Sequence, residues 1–67
     1  MQAQPLKYGD VVEIPWPVGT VRARVLEVYG DPGDERVSVE VLDVDQEASE
    51  PVTVTHRIHN VRLLTAA

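Results

Sequence analysis

The chain has 67 residues, a formal net charge of −5, no cysteine and no phenylalanine. This length allows one domain with a thin stability margin, and the missing cysteines exclude disulfide bridges and thiolate metal sites. The acidic balance argues against a protein whose main task is to grip phosphate backbones, because such binding needs a basic footprint.

The ends of the chain carry no hydrophobic periodicity, so residues 1–7 and 65–67 are expected to be loose tails of a single domain with its core in residues 8–64. The N-terminus lacks the charged-then-apolar pattern of a signal peptide. No stretch approaches the roughly 18–20 apolar residues that a membrane span needs. We therefore expect a cytoplasmic protein, and the initial methionine suggests that it is complete.

Short alternating segments rich in valine predict five β-strands and no α-helix. The predicted strands cover residues 11–14, 20–29, 35–44, 51–55 and 61–64. A loop with two prolines around Trp16 separates the first two strands, and a strong turn signal at 30–34 joins the second to the third. An acidic loop over 45–50 precedes the fourth strand, and one 3₁₀ turn within 56–60 precedes the last.

The second and third strands can be placed in register from their apolar positions, since a slip by one residue would set apolar side chains opposite polar ones. The expected pairs are Val25 with Val39, Ala23 with Val41, Glu27 with Val37, and Arg24 with Glu40. After Val25 the apolar positions change phase to Leu26 and Val28, which indicates a bulge or a bend in the strand.

This order of elements resembles the SH3-like barrel, and within that superfold the compact Tudor and KOW type. The residues that carry the resemblance are Gly9-Asp10-Val11-Val12, the run from Gly19 to Val28, the run from Val39 to Asp43, and the run from Ile58 to Leu64. The resemblance implies a small five-stranded antiparallel barrel with one 3₁₀ turn before the last strand. A superfold hosts many unrelated functions, so function must be argued from particular residues.

Trp16 is the leading candidate for a binding residue, because a tryptophan in a proline-flanked loop is costly to expose. Tudor-like barrels bind methylated lysine or arginine in an aromatic cage, and the resemblance implies a cage here that lacks the aromatic residue usual in the loop after the third strand. The candidate cage residues are Trp16, Tyr8, Tyr29 and one of the acids Asp43, Asp45 and Glu47. The alternative is that Trp16 fills one end of a barrel whose core has no phenylalanine.

Two further sets of side chains suggest sites. His56 and His59 have a spacing seen in zinc proteins, but zinc needs further ligands that the sequence does not place nearby, so we expect no metal and no cofactor. Arg22, Arg24 and Arg62 form a candidate basic patch suited to an RNA loop or an acidic peptide. The alternative is a solvated face on which neighbouring glutamates neutralise these arginines.

Catalysis has little to build from, because no cysteine nucleophile exists, the carboxylates are scattered among turns, and so small a barrel lacks a substrate pocket. We therefore expect no enzyme. The preferred hypothesis is a non-catalytic module that binds a protein or peptide partner through the Trp16 loop and neighbouring strand edges. Two alternatives stay open: an accessory nucleic-acid-associated domain, by analogy with KOW-type barrels, and a homo-oligomeric building block. None of the three involves a membrane.

Overall fold

The computed structural model describes residues 6–43 and 51–67, and this part of the chain is all-β. Its elements are β1 (Val11–Pro15), β2 (Thr20–Tyr29), β3 (Arg36–Val41), β4 (Thr53–Arg57), a 3₁₀ turn (Ile58–Asn60) and β5 (Arg62–Thr65). Among the described residues there is no helix long and apolar enough to cross a membrane. The prediction of five strands and one 3₁₀ turn is confirmed.

The five strands form one antiparallel sheet in the order β4-β3-β2-β1-β5. The outermost strands, β4 and β5, are not joined by a hydrogen-bonded ladder within the described ranges, so strand pairing does not close the sheet. The structure therefore confirms a small five-stranded antiparallel sheet, whereas the closed SH3-like barrel stays a prediction.

The core lies on one face of the sheet and is built mainly from valine. Its buried side chains are Val12, Ile14, Ala23, Val25, Val37, Val39 and Val41. They occupy alternate positions of the three central strands, as expected where one face of a strand is covered. Each fully buried valine or isoleucine contributes about 1.5–3 kcal/mol relative to its exposed state. Leu6, Trp16, Ile58 and Leu63 are among the half-buried side chains that pack around this centre.

The register of β2 and β3 follows the sequence prediction up to the bulge and departs from it beyond. Val25 faces Val39, Ala23 faces Val41 and Arg24 faces Glu40, as predicted. The predicted pairing of Glu27 with Val37 is wrong, because the register shifts between Val25 and Glu27. Glu27 therefore faces Ser38, and Val28 faces Val37. The change of apolar phase after Val25 did indicate this bulge.

The ends of the later strands also differ from their predicted limits. β4 runs over Thr53–Arg57 instead of 51–55, because its hydrogen-bonded partners are residues Arg36–Glu40 of β3. Residues 65–67 were expected to be a tail, yet Thr65 belongs to β5 and faces Val11. β3 runs over Arg36–Val41 instead of 35–44, and residue 44, its predicted end, lies outside the described residues.

Candidate binding surface

The Trp16 side chain lies on the core face of the sheet, just beyond the end of β1. It follows Val12 and Ile14 at alternate positions, is half-buried, and packs against the core. Its backbone N–H donates to the Gly19 carbonyl at 3.0 Å, which closes the loop between β1 and β2. This position favours the interpretation in which Trp16 fills one end of the core, since large aromatics gain most from burial. The exposed apolar residue of the loop is instead Val18, at 88% exposure.

The two tyrosines lie near different parts of β2. Tyr8 is 72% exposed in the turn before β1, and the neighbouring Gly9 N–H donates to the Val25 carbonyl in the middle of β2 at 2.9 Å. Tyr29 is the last residue of β2, whereas Trp16 lies beyond the first. A strand of this length spans up to about 30 Å. The structure therefore does not bring Tyr29 to Trp16, and Tyr8 lies in the turn that is bonded to the middle of β2.

Asp43 forms an ion pair with Arg22 of β2. The Arg22 guanidinium donates to both carboxylate oxygens, with Nη2 2.9 Å from Oδ1 and Nε 3.1 Å from Oδ2, and the Arg22 backbone N–H donates to Oδ2 at 2.9 Å. The guanidinium and then the amide lower the pKa of Asp43, while Asp43 raises the pKa of Arg22. Asp43 is thus committed to this pair, and Asp45 and Glu47 lie outside the described residues.

The other two arginines of the candidate basic patch are paired in the same manner. Arg24 Nη2 lies 2.9 Å from Glu40 Oε1, and this hydrogen bond is the main cause of the raised pKa of Arg24. Arg62 Nη2 lies 2.9 Å from Glu13 Oε1. The three arginines therefore share the outer face of the sheet with three carboxylates. This geometry favours the solvated-face interpretation over an uncompensated basic patch.

One row of alternating charges crosses the outer face. Asp43 contacts Arg22, Arg22 faces Glu13 across the β2–β1 ladder, and Glu13 faces Arg62 across the β1–β5 ladder. Arg22 and Glu13 thus each lie between two opposite charges. Arg62 ends the row on the outermost strand, and its side chain is 71% exposed against 29% for Glu13.

The two histidines belong to different elements. His56 is half-buried in β4 opposite Val37, and His59 is exposed in the 3₁₀ turn. Within residues 6–43 and 51–67, no group of three His, Asp or Glu side chains is placed to hold a metal ion.

Asp10 is a structurally important residue that the sequence analysis did not single out. It is 1% exposed, and its oxygens accept the Ala67 N–H at 2.8 Å and the Lys7 N–H at 3.0 Å. The bond from Ala67 is the main cause that lowers the pKa of Asp10, and it outweighs the opposing effect of burial. The Val25 N–H also donates to the Asp10 carbonyl at 2.8 Å. Asp10 thus fastens both ends of the described chain to the middle of β2.

Both outermost strands have one side without a partner strand in the described part of the chain. β4 pairs only with β3, and β5 pairs only with β1. Most residues of β5 are exposed, and exposed residues alternate with half-buried ones along β4. An edge of this kind presents backbone N–H and C=O groups that a further strand can pair with.

Comparisons with protein-family models, with curated proteins and with solved structures found no match. Only the residues and geometry described above therefore bear on function.

Proposed function

We propose that this chain is a non-catalytic protein-binding or peptide-binding module with an SH3-like barrel fold, and that it binds an extended segment along an open strand edge. The observation that carries the proposal is the pair of outermost strands, β4 and β5, each of which has a ladder on one side only within residues 6–43 and 51–67. Strand addition to such an edge is a recurring mode of peptide recognition, in which backbone hydrogen bonds supply affinity and alternate side chains supply specificity.

Three features of the sheet support the barrel part of the proposal. The first half of β2, Thr20–Arg24, pairs with β1, while Ala23–Tyr29 pairs with β3. The bulge after Val25 lies in the second half, and a bulge bends its strand and increases the twist. A 3₁₀ turn then leads from β4 to β5, which returns to pair with β1. A long bent strand shared by two neighbours is what a small barrel of this type requires.

The non-catalytic part of the proposal is supported by the use of the one buried charged side chain among the described residues. Both carboxylate oxygens of Asp10 accept hydrogen bonds from backbone N–H groups. A buried carboxylate that accepts two backbone bonds is held in its ionised form, and it acts as a structural acceptor instead of exchanging protons with a substrate.

A nucleic-acid partner has less support than a protein partner. All five arginines of the chain take part in ion pairs with carboxylates, at N–O distances between 2.9 and 4.0 Å. A phosphate backbone would have to displace these carboxylates, and it offers no groups for strand pairing. The charge pattern therefore favours a polypeptide partner.

A selection from a library of random twelve-residue displayed peptides, with the domain immobilised, tests the proposal. We expect enrichment of extended, β-prone sequences that bind at about micromolar affinity, the range of many transient contacts. Titration of the ¹⁵N-labelled domain with an enriched peptide should then shift the amide signals of β4 or β5.

The matched control is Val18→Asp, which changes the exposed loop between β1 and β2 without touching an edge strand. We expect this variant to bind the enriched peptides as the unmodified protein does. Failure to enrich any peptide, or amide shifts confined to residues 16–19, would contradict binding at an edge.

A further inference from the structure

The two edge strands are basic, whereas the whole chain is acidic. The chain carries a formal charge of −5. β4 nevertheless reads Thr-Val-Thr-His-Arg and β5 reads Arg-Leu-Leu-Thr, so each contains an arginine and neither contains an acid. Acidic residues are thus absent from the two strands that are open to pairing.

This distribution opposes pairing between two copies of the chain. Any edge-to-edge contact of β4 or β5 with a second copy would bring together strands that carry only basic or neutral side chains. Opposite charges facing each other stabilise a strand pair, whereas like charges destabilise it. Charged side chains on edge strands are a common device against self-association.

The row of charges on the outer face indicates that the β5 edge lacks a carboxylate beside Arg62. Arg22 and Glu13 each have opposite charges on both sides, whereas Arg62 contacts Glu13 on one side and faces the open edge on the other. An arginine has five N–H donors, and the ion pair of Arg62 with Glu13 uses one terminal nitrogen. A carboxylate on an added strand would continue the alternation.

We infer that the partner segment is an extended strand that pairs with β5 and places a glutamate or aspartate opposite Arg62. The inference rests on the proposed function and specifies its partner. Leu63, next in the strand, turns to the core side and packs there half-buried. Because side chains alternate between faces, the residue beside the acid meets Leu63 and is apolar. The recognised pattern is therefore an acid flanked by apolar, β-prone residues.

Two capped heptapeptides of sequence STVEVTS and STVKVTS test this inference by titration of the ¹⁵N-labelled domain. We expect the glutamate peptide to bind about three- to tenfold more tightly than the lysine peptide, because a favourable cross-strand charge pair takes the place of an unfavourable one. The preference should shrink as salt is raised, because exposed charges are screened. The shifted amides should lie in β5.

Substitution of Arg62 gives the decisive comparison. Arg62→Glu should reverse the preference, and Arg62→Gln, which adds no new charge beside Glu13, should abolish it. Arg24→Gln is the matched control, since it removes an ion pair of the same 2.9 Å length from the interior strand β2. It should leave the preference intact.

Equal affinity for the two peptides, a preference that survives both Arg62 substitutions, or shifts located in β4 would overturn the inference. If library-selected peptides still bound at an edge, the proposed function would stand without it. If neither these probes nor selected peptides shifted any edge amide, the proposed function would fail as well.

Discussion

Asp10 shows how a single buried carboxylate connects distant parts of a small domain. Its two oxygens accept backbone N–H groups from Lys7 and Ala67, and its own backbone bonds to Val25. These contacts hold the Lys7–Asp10 turn and Ala67, which follows β5, against the middle of β2. Tyr8, the exposed aromatic of this turn, is placed by the same bonds.

The lowered pKa of Asp10 predicts an acid-dependent loss of stability. The folded-state pKa lies below the ordinary value of 3.8, so the stabilisation is complete above that value and disappears as pH falls through the folded-state pKa. Asp10→Asn should therefore lower the stability at neutral pH and flatten its decline between about pH 5 and pH 2. Urea unfolding across this pH range measures both effects.

Glu27→Gln is the control for this experiment, because Glu27 is exposed on β2. It removes one carboxylate without touching the Asp10 contacts. A decline with acid that is the same in Asp10→Asn as in the unmodified protein would show that Asp10 does not carry the pH dependence.

The half-buried position of Trp16 predicts its fluorescence. Emission in the folded protein should be blue-shifted from that of the unfolded chain, and acrylamide should quench it less efficiently. Since Trp16 is the only tryptophan, the signal reports this residue alone. Emission that does not change on unfolding would mean that Trp16 is exposed, and would restore it as a binding residue.

At the scale of elements, the turn between β2 and β3 fixes the longest strand pair. Gly30 has φ of +106°, and a Cβ placed there would lie 2.7 Å from the Asp34 carbonyl oxygen. Gly33 has φ of +86°, but a Cβ there would meet nothing within 4 Å. Substitutions at the two glycines therefore distinguish two costs. At Gly33 only backbone strain is expected, whereas at Gly30 a steric clash with the backbone is added.

Alanine substitutions at these glycines should differ in cost. Gly33→Ala should lose about 1–2 kcal/mol through backbone strain alone. Gly30→Ala should lose about 1–3 kcal/mol more, because the backbone must also move away from the added methyl group. Chemical denaturation of both variants measures the difference. Equal losses would mean that the turn relaxes around position 30 without cost.

The sequence was sufficient for the features that depend on local pattern. β2 was predicted with both ends correct, and the pairs Val25–Val39 and Arg24–Glu40 follow from alternation and turn length. The pairing of Glu27 was wrong because the pattern indicates that a bulge exists without fixing how the partner strand adjusts.

The site was less predictable, because its contacts join residues far apart in the chain. The bond between Asp10 and Ala67 spans 57 positions, and the pairing of Asp43 with Arg22 spans 21. Neither leaves a local signal. The edge positions of β4 and β5 likewise follow from the order of strands, which alternation alone does not determine.

For the whole molecule, the separation of charge predicts the oligomeric state. The edge strands carry no acid to complement their arginines, so edge-to-edge self-pairing has no favourable charge contact. We expect a monomer of 7.4 kDa in sedimentation equilibrium at low salt. A concentration-dependent dimer would instead support the homo-oligomeric alternative and would occupy an edge proposed for a partner.

The most direct test of binding at an open edge is amide hydrogen exchange of the domain with and without a selected peptide. An added strand gives hydrogen-bond partners to the outward amides of the strand it joins, so exchange at β5 should slow when the peptide is bound, while the interior strand β2 changes little. That result would place the partner on the edge strand that begins at Arg62. Binding that leaves exchange in both β4 and β5 unchanged would contradict strand addition and require another surface.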